Sequence, residues 1–450
     1  MPGSTLAAGS HKLATVADDV SESTRRKIGW RVLPFIFLLY ILSYVDRVNV
    51  GFAGLNMTGE LHFSNEAFGF GSGILFFGLC LLEIPGGVMA ERWSARKWLA
   101  SIMIAWGLLA AMTGLIHTAT QFNWIRFFLG VAEGGFFPAV IVYLTHWFRQ
   151  ADRAKAVALF MTGIPVSNTI GGLIASRLLA LHWLGLSGWR WLLILEGLPA
   201  VVGGIVTLFY LTDWPRDAGW LQAEEREWMT DAMAREKREH EAAGSERTLL
   251  QSLASPTVVV LFFAYFFLNT AGYGLTIWGP KLVQRLPGLT IPQVALVASI
   301  PNLCAIPAMI LMGWYVDRTG RHRLCGVIAG FIAAVGFAVS QWPAASPVLV
   351  MAGFSVAMMG VMSYFPCFWA LPSQVLSPSV VPAACGIITV ANVGGFVGPY
   401  AMGFLTDLTG SQFGGVMVMV VSAAMAGVCI WVLPRGRESL RESVAATKKY

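Results

Sequence analysis

The sequence predicts an all-α membrane protein of twelve transmembrane helices, built as two six-helix bundles with pseudo-two-fold symmetry. Three observations carry that prediction. Of 450 residues, 56% are hydrophobic and only 12% charged, and the mean hydropathy is +0.64, a balance foreign to soluble domains. The apolar residues gather into twelve runs, each about 20 residues and so long enough to cross a bilayer as a helix. The basic residues fall on alternate loops between those runs.

In chain order, residues 1–27 are polar and small. They lack a signal peptide's apolar core and cleavage site and read as a cytoplasmic tail. Six spans follow within 28–212, at about 30–52, 67–90, 98–117, 121–146, 155–180 and 190–211. A charged stretch, 213–254, holds Glu224, Glu225, Arg226 and Glu227 and then the run from Arg235 to Glu241; it reads as a solvated amphipathic connector. Six more spans fill 255–434, at about 257–280, 291–316, 324–341, 347–372, 383–407 and 413–433, before a basic tail at 435–450.

Lys and Arg set the orientation. One side carries Arg25, Arg26, Lys27, Arg92, Arg96, Lys97, Arg149, Arg153, Lys155, Arg318, Arg321, Arg323, Arg435, Arg437, Arg441, Lys448 and Lys449. The other carries Arg177, Arg190, Lys281 and Arg285. Seventeen against four puts both termini in the cytoplasm, which requires an even number of spans. The net charge of +6 is therefore topological and no footprint of nucleic acid. The six cysteines lie in or at the ends of apolar runs without paired spacing, so neither disulfides nor a metal site are expected. No cofactor motif appears.

The fourth span holds two ionisable residues, Arg126 and Glu133, seven residues or about two turns apart and so on one face. Charges inside a membrane are expensive and mark pathways by default. Gly130, Gly134 and Gly135 leave that face shallow, so another helix or a ligand can approach closely.

There is also an internal repeat. Gly87-Val-Met-Ala-Glu91-Arg92-Trp-Ser94 recurs, 226 residues on, as Gly313-Trp-Tyr-Val-Asp317-Arg318-Thr-Gly320. Both copies sit in the loop after the second span of their half. A helix-terminal carboxylate beside a basic turn can lock helix ends together, which makes Glu91, Arg92, Asp317 and Arg318 candidates for conformational gating.

This doubled loop resembles the signature of the major facilitator superfamily. Further stretches are similar to its anion:cation symporter family: Tyr44-Val-Asp46-Arg47-Val-Asn49, Glu83-Ile-Pro85, Arg126 to Pro138, Trp189-Arg190-Trp191 through Glu196-Gly197, Tyr273-Gly274 with Trp278 and Pro280, Trp369 to Pro372, and Asn392 to Pro399. The likeness spans all twelve runs. It implies a monomeric carrier in the bacterial inner membrane that imports a small organic anion, commonly with protons. Two positions depart from the family pattern: Leu79 stands where a tyrosine is frequent, and Ile388 where a second asparagine is frequent. Both tilt the substrate away from sugar acids toward less hydroxylated or aromatic acids.

The residues lead the same way. With span one ending near Phe52 and span four starting near Gln121, Arg47 and Arg126 each lie ~7.5 Å below the outer edge. Two guanidinium forks at one depth can converge on one carboxylate. Withdrawal from water favours the neutral form of a carboxyl, and a neighbouring arginine the ionised form. Glu133 and Asp46 are thus the candidate proton carriers, with Glu133 holding the coupled proton near the midplane and Asp46 admitting it from outside. Tyr44, Tyr273 and Trp369 offer amphipathic rings to a cavity, and Asn392 a donor to a substrate hydroxyl. Glu83 and Glu196 lie beside Pro or Gly near helix bends and read first as pairing or capping groups. Exchange or facilitated passage without protons is the alternative within transport. A membrane enzyme would need a nucleophile–base set or cofactor motif, and a sensor an added soluble domain; neither is legible.

Overall fold

A computed structural model describes residues 4–149, 152, 156, 160, 162–242, 255–343, 346–376 and 380–434. Connector residues 243–254, the C-terminal tail, Arg153 and Lys155 lie outside the described residues, as do the side chains of 4–19. Hydrocarbon offers no hydrogen bonds to the backbone, so a segment that crosses it must close its own. Helix is accordingly the dominant element.

Span one is α1 (Ser4–Glu60). Span two is broken into α2 (Asn65–Gly73) and α3 (Leu75–Arg92), and span three is α4 (Ala95–Thr113). Span four is broken into α5 (Ala119–Gly134) and α6 (Phe136–Trp147). The described part of span five is α7 (Gly163–Leu178), and span six is α8 (Gly188–Tyr210). Connector helix α9 (Ala223–Ala242) ties back to α1 through Lys27 Nζ on Glu225 Oε1 at 2.5 Å. Span seven is α10 (Pro256–Val283), span eight α11 (Ile291–Ala298) with α12 (Ile300–Thr319), and span nine α13 (His322–Ser340). Span ten is α14 (Pro347–Val375). Span eleven is α15 (Val381–Val390), a 3-10 turn (Ala391–Val393) and α16 (Gly394–Thr409), and span twelve is α17 (Phe413–Val432). Eleven of these spans are long and apolar enough to cross a membrane, and α7 belongs to the twelfth.

Pairing among the helices repeats between halves. Spans one with five and six, two with four, and three with four and six pack together in the first half. Spans seven with eleven and twelve, eight with ten, and nine with ten and twelve do so in the second. That is the pseudo-two-fold of two six-helix bundles. Glycine permits the tightest crossing: a Cβ on Gly130 would lie 1.9 Å from the Leu75 carbonyl oxygen, and one on Gly134 2.2 Å from that of Leu79. The shallow face of span four thus receives span two.

The bundles meet at the end opposite the basic loops, here called the far end. Spans one and seven, two and eleven, and five and eight make the contact. Asp407 of α16 caps the start of α2, accepting from the Glu66 amide at 2.7 Å and Asn65 Nδ2 at 2.8 Å. Asn168 Nδ2 donates to Asn302 Oδ1 at 3.0 Å between α7 and α12.

One expectation needs correcting. Span one does not end near Phe52 but continues as helix to Glu60. Hydropathy falls across Gly54, Asn56 and Gly59, yet Ala53, Leu55 and Met57 are buried against protein. Arg47 therefore lies 13 residues, ~20 Å, below that helix end. Arg126 lies seven residues, ~10 Å, and Glu133 14 residues, ~21 Å, from the start of α5. Arg47 is level with Glu133 and not with Arg126.

Candidate functional site

A cavity lies between the bundles. Span one presents Tyr44 and Arg47 to it, span two Glu83, span four Glu133, span ten Trp369 and span eleven Asn392. The breaks in spans two, four and eleven fall near this level, as expected where irregular backbone borders a cavity and not lipid.

Arg47 is the centre of the site. Its Nε donates to Glu133 Oε1 at 3.0 Å, and its Nη2 reaches the same oxygen. Its Nη1 donates to the Tyr273 hydroxyl at 2.9 Å, and its guanidinium lies 4.6 Å from the Tyr44 ring centroid. Arg47 thereby joins spans one, four and seven, across both bundles. Ser43 also donates to Glu133 Oε1, at 2.8 Å, while Glu133 Oε2 is buried without a hydrogen-bond partner. A buried acid holding an arginine at a cavity wall is a displaceable pair: an incoming carboxylate can take the fork that Glu133 now occupies.

Asp46 points elsewhere. It is buried, accepts from Asn49 Nδ2 at 3.0 Å, and has Arg126 as its leading opposite charge, with Glu196 close by. Arg126 is 2% exposed, and its Nε and Nη2 have no hydrogen-bond partner. It is not among the residues that line the cavity. The structure thus brings Arg47, Glu133, Tyr44, Trp369 and Asn392 to the cavity, holds Tyr273 behind Arg47 as its hydrogen-bond partner, and sets Arg126 and Asp46 outside the cavity lining. The two arginines do not converge on one point, because the longer first helix lowers Arg47 relative to Arg126. Sequence reasoning ranked Glu83 as a capping group, yet it lines the cavity and accepts from Asn392 Nδ2 at 3.0 Å. Its signal was simply that it is an acid inside a span.

The doubled loop lies at the other end. Glu91 closes α3 and Asp317 falls in the last turn of α12, where a carboxylate opposes the helix dipole and the adjacent Arg92 and Arg318 offset it. Glu91 reaches back to His146 Nε2 of α6 at 3.1 Å, within its own bundle. Arg318 lies over the Trp314 ring at 4.2 Å, and Asp317 is exposed.

Two six-helix bundles around a charged cavity define a membrane transporter and not an enzyme. The chain belongs to the Major Facilitator Superfamily, whose sequence pattern matches residues 36–399. It is 36% identical, over 96% of both chains, to a protein of Agrobacterium vitis named "Putative tartrate transporter". It is 31% identical to the inner membrane transport protein RhmT of Escherichia coli (strain K12), over 92% of this chain and 96% of that one. Among solved structures it resembles a D-xylose-proton symporter with a TM-score of 0.71 at 17% identity, covering 90% of this chain and 98% of the other.

Proposed function

We propose that this chain imports a small organic anion together with protons, by alternating access, with Arg47 as the carboxylate anchor. The observation that carries the reading is the Arg47–Glu133 pair at the wall of a cavity shared by both bundles. A substrate carboxylate competes with Glu133 for Arg47. Once displaced, the buried Glu133 loses its hydrogen-bonded cation and takes up a proton to remain in a low-dielectric site. Binding of the anion and of the proton then support one another. Asp46, next to Arg47 in the chain and with Arg126 as its leading opposite charge, passes protons toward this exchange. Arg126 acts through Asp46.

Tartrate-like hydroxy acids, sugar acids and aromatic carboxylates are the candidate substrates, and the Agrobacterium relative's name favours the first. The basic loops assign the near end to the cytoplasm, so the contact at the far end closes the route from outside. The RhmT relative's name supports an inner-membrane location. A single bundle pair encloses the cavity, which supports a working monomer. The test is uptake of a panel of radiolabelled organic acids into proteoliposomes, with and without an imposed pH gradient. Accumulation above equilibrium only with the gradient supports coupling. Equal exchange in both conditions would make the protein an exchanger or facilitator.

A further inference from the structure

We propose that Glu83 reads hydroxyl groups on the substrate and makes the site selective for hydroxylated carboxylic acids. This rests on the reading of the cavity as an organic-anion site anchored by Arg47.

Glu83 lies on α3, 7% exposed, in the wall of the same cavity as Arg47. Its Oε1 accepts from Asn392 of the other bundle at 3.0 Å. Its Oε2 is buried and has no hydrogen-bond partner. Thr389 lies beside it, but the Thr389 hydroxyl donates its one proton to the Gly386 carbonyl at 2.9 Å. Leu79, one turn before Glu83, lines the cavity without a polar atom. Asn392 gives Glu83 one of its two amide N–H groups, and its side-chain oxygen remains an acceptor. Glu83 Oε2 and that oxygen can therefore both take a donor.

An unpartnered buried oxygen is a standing penalty that a ligand donor removes. A second substrate carboxylate cannot supply that donor, because an ionised carboxylate only accepts and would face Glu83 as a like charge. A hydroxyl can. It donates to Glu83 when the acid is ionised and accepts from it when protonated, so it fits the site throughout a cycle in which protons move nearby. An ammonium fits only the ionised form. The geometry thus selects an acid whose carboxylate meets Arg47 and whose hydroxyl meets Glu83 in the same cavity.

The experiment measures affinities of the purified transporter for acids matched except for their hydroxyls: tartrate with succinate, mandelate with phenylacetate, and gluconate with hexanoate. Wild type is expected to favour the hydroxylated member of its best pair by at least about tenfold, the discrimination a polar site makes against a ligand that leaves it unpaired. Glu83→Met and Glu83→Ala remove the oxygen with different packing, and either one recovered monodisperse carries the test. The ratio within the pair is expected to fall at least about fivefold. An equal loss of affinity for both members would mean that Glu83 only ties the bundles together, and would overturn the proposal. So would a wild type that binds both members alike, which leaves the organic-anion reading standing. A wild type that binds none of the acids would instead overturn that reading itself.

Discussion

At the scale of single residues, the two arginines part company. Arg47 contributes a fork that a carboxylate can share, whereas Arg126 lies outside the cavity lining with Asp46 as its leading opposite charge. Arg47→Lys keeps the charge but loses bidentate geometry, so affinity for the transported acid should fall about tenfold. Arg126→Lys keeps a cation opposite Asp46 and should hold affinity within about threefold while slowing gradient-driven uptake. Equal losses of affinity in the two variants, by equilibrium binding on purified protein, would restore a clamp made by both. Which residues are candidates was legible: charge inside an apolar run singles out Arg47, Arg126, Asp46 and Glu133 without any structure. Which partner each takes was not, because partners depend on the relative depth of two helices. That depth turned on where α1 ends, and hydropathy misjudges a helix end that packs on protein instead of lipid.

At the scale of elements, the far-end clasp and the near-end loops form an opposed pair. Asp407 satisfies free amides at the start of α2 and complements its positive dipole end. Asp407→Ala removes about 1–2 kcal/mol of contact made only when the far end is closed, a shift of roughly tenfold toward the open form. Pulsed spin-label distances between His62 and Gly410 should then broaden toward longer values; an unchanged distribution would refute the clasp. In this conformation Glu91 pairs inside its own bundle and Asp317 faces solvent, so the doubled loop makes no described bond between the bundles. We propose that its work belongs to the alternative state, in which the near end closes. Glu91→Gln and Asp317→Asn should each move the same distance distribution without altering which acids are carried, by up to about fivefold, the scale of an exposed pair. A changed substrate profile with unmoved distances would contradict this. The repeat was readable from residue order alone. The clasp was not, since an aspartate at a span end looks like any interfacial charge until the start of another helix is placed beneath it.

At the scale of the whole molecule, the fold follows from two constraints that a sequence shows directly: length of apolar run and distribution of basic loops. Hence, the end of span one apart, the span limits fall close to the described helices, as with 121–146 against α5 and α6 (Ala119–Trp147) and 413–433 against α17 (Phe413–Val432). The breaks in spans two, four, eight and eleven were less legible. A glycine or proline such as Gly135 or Pro301 marks a bend only when a cavity or neighbour takes up the freed backbone groups. The breaks in spans two, four and eleven and the charges beside them fall near the cavity, and in the proposed cycle Glu133 exchanges Arg47 for a proton when substrate arrives. Substrate counterflow and pH-driven uptake, measured on the same proteoliposomes carrying Glu133→Gln, test it most directly. Glutamine holds the neutral form, so counterflow should persist while accumulation under a proton gradient is lost. If Glu133→Gln still concentrates the acid against its gradient when protons are driven inward, the coupled proton is not on Glu133 and the account is wrong.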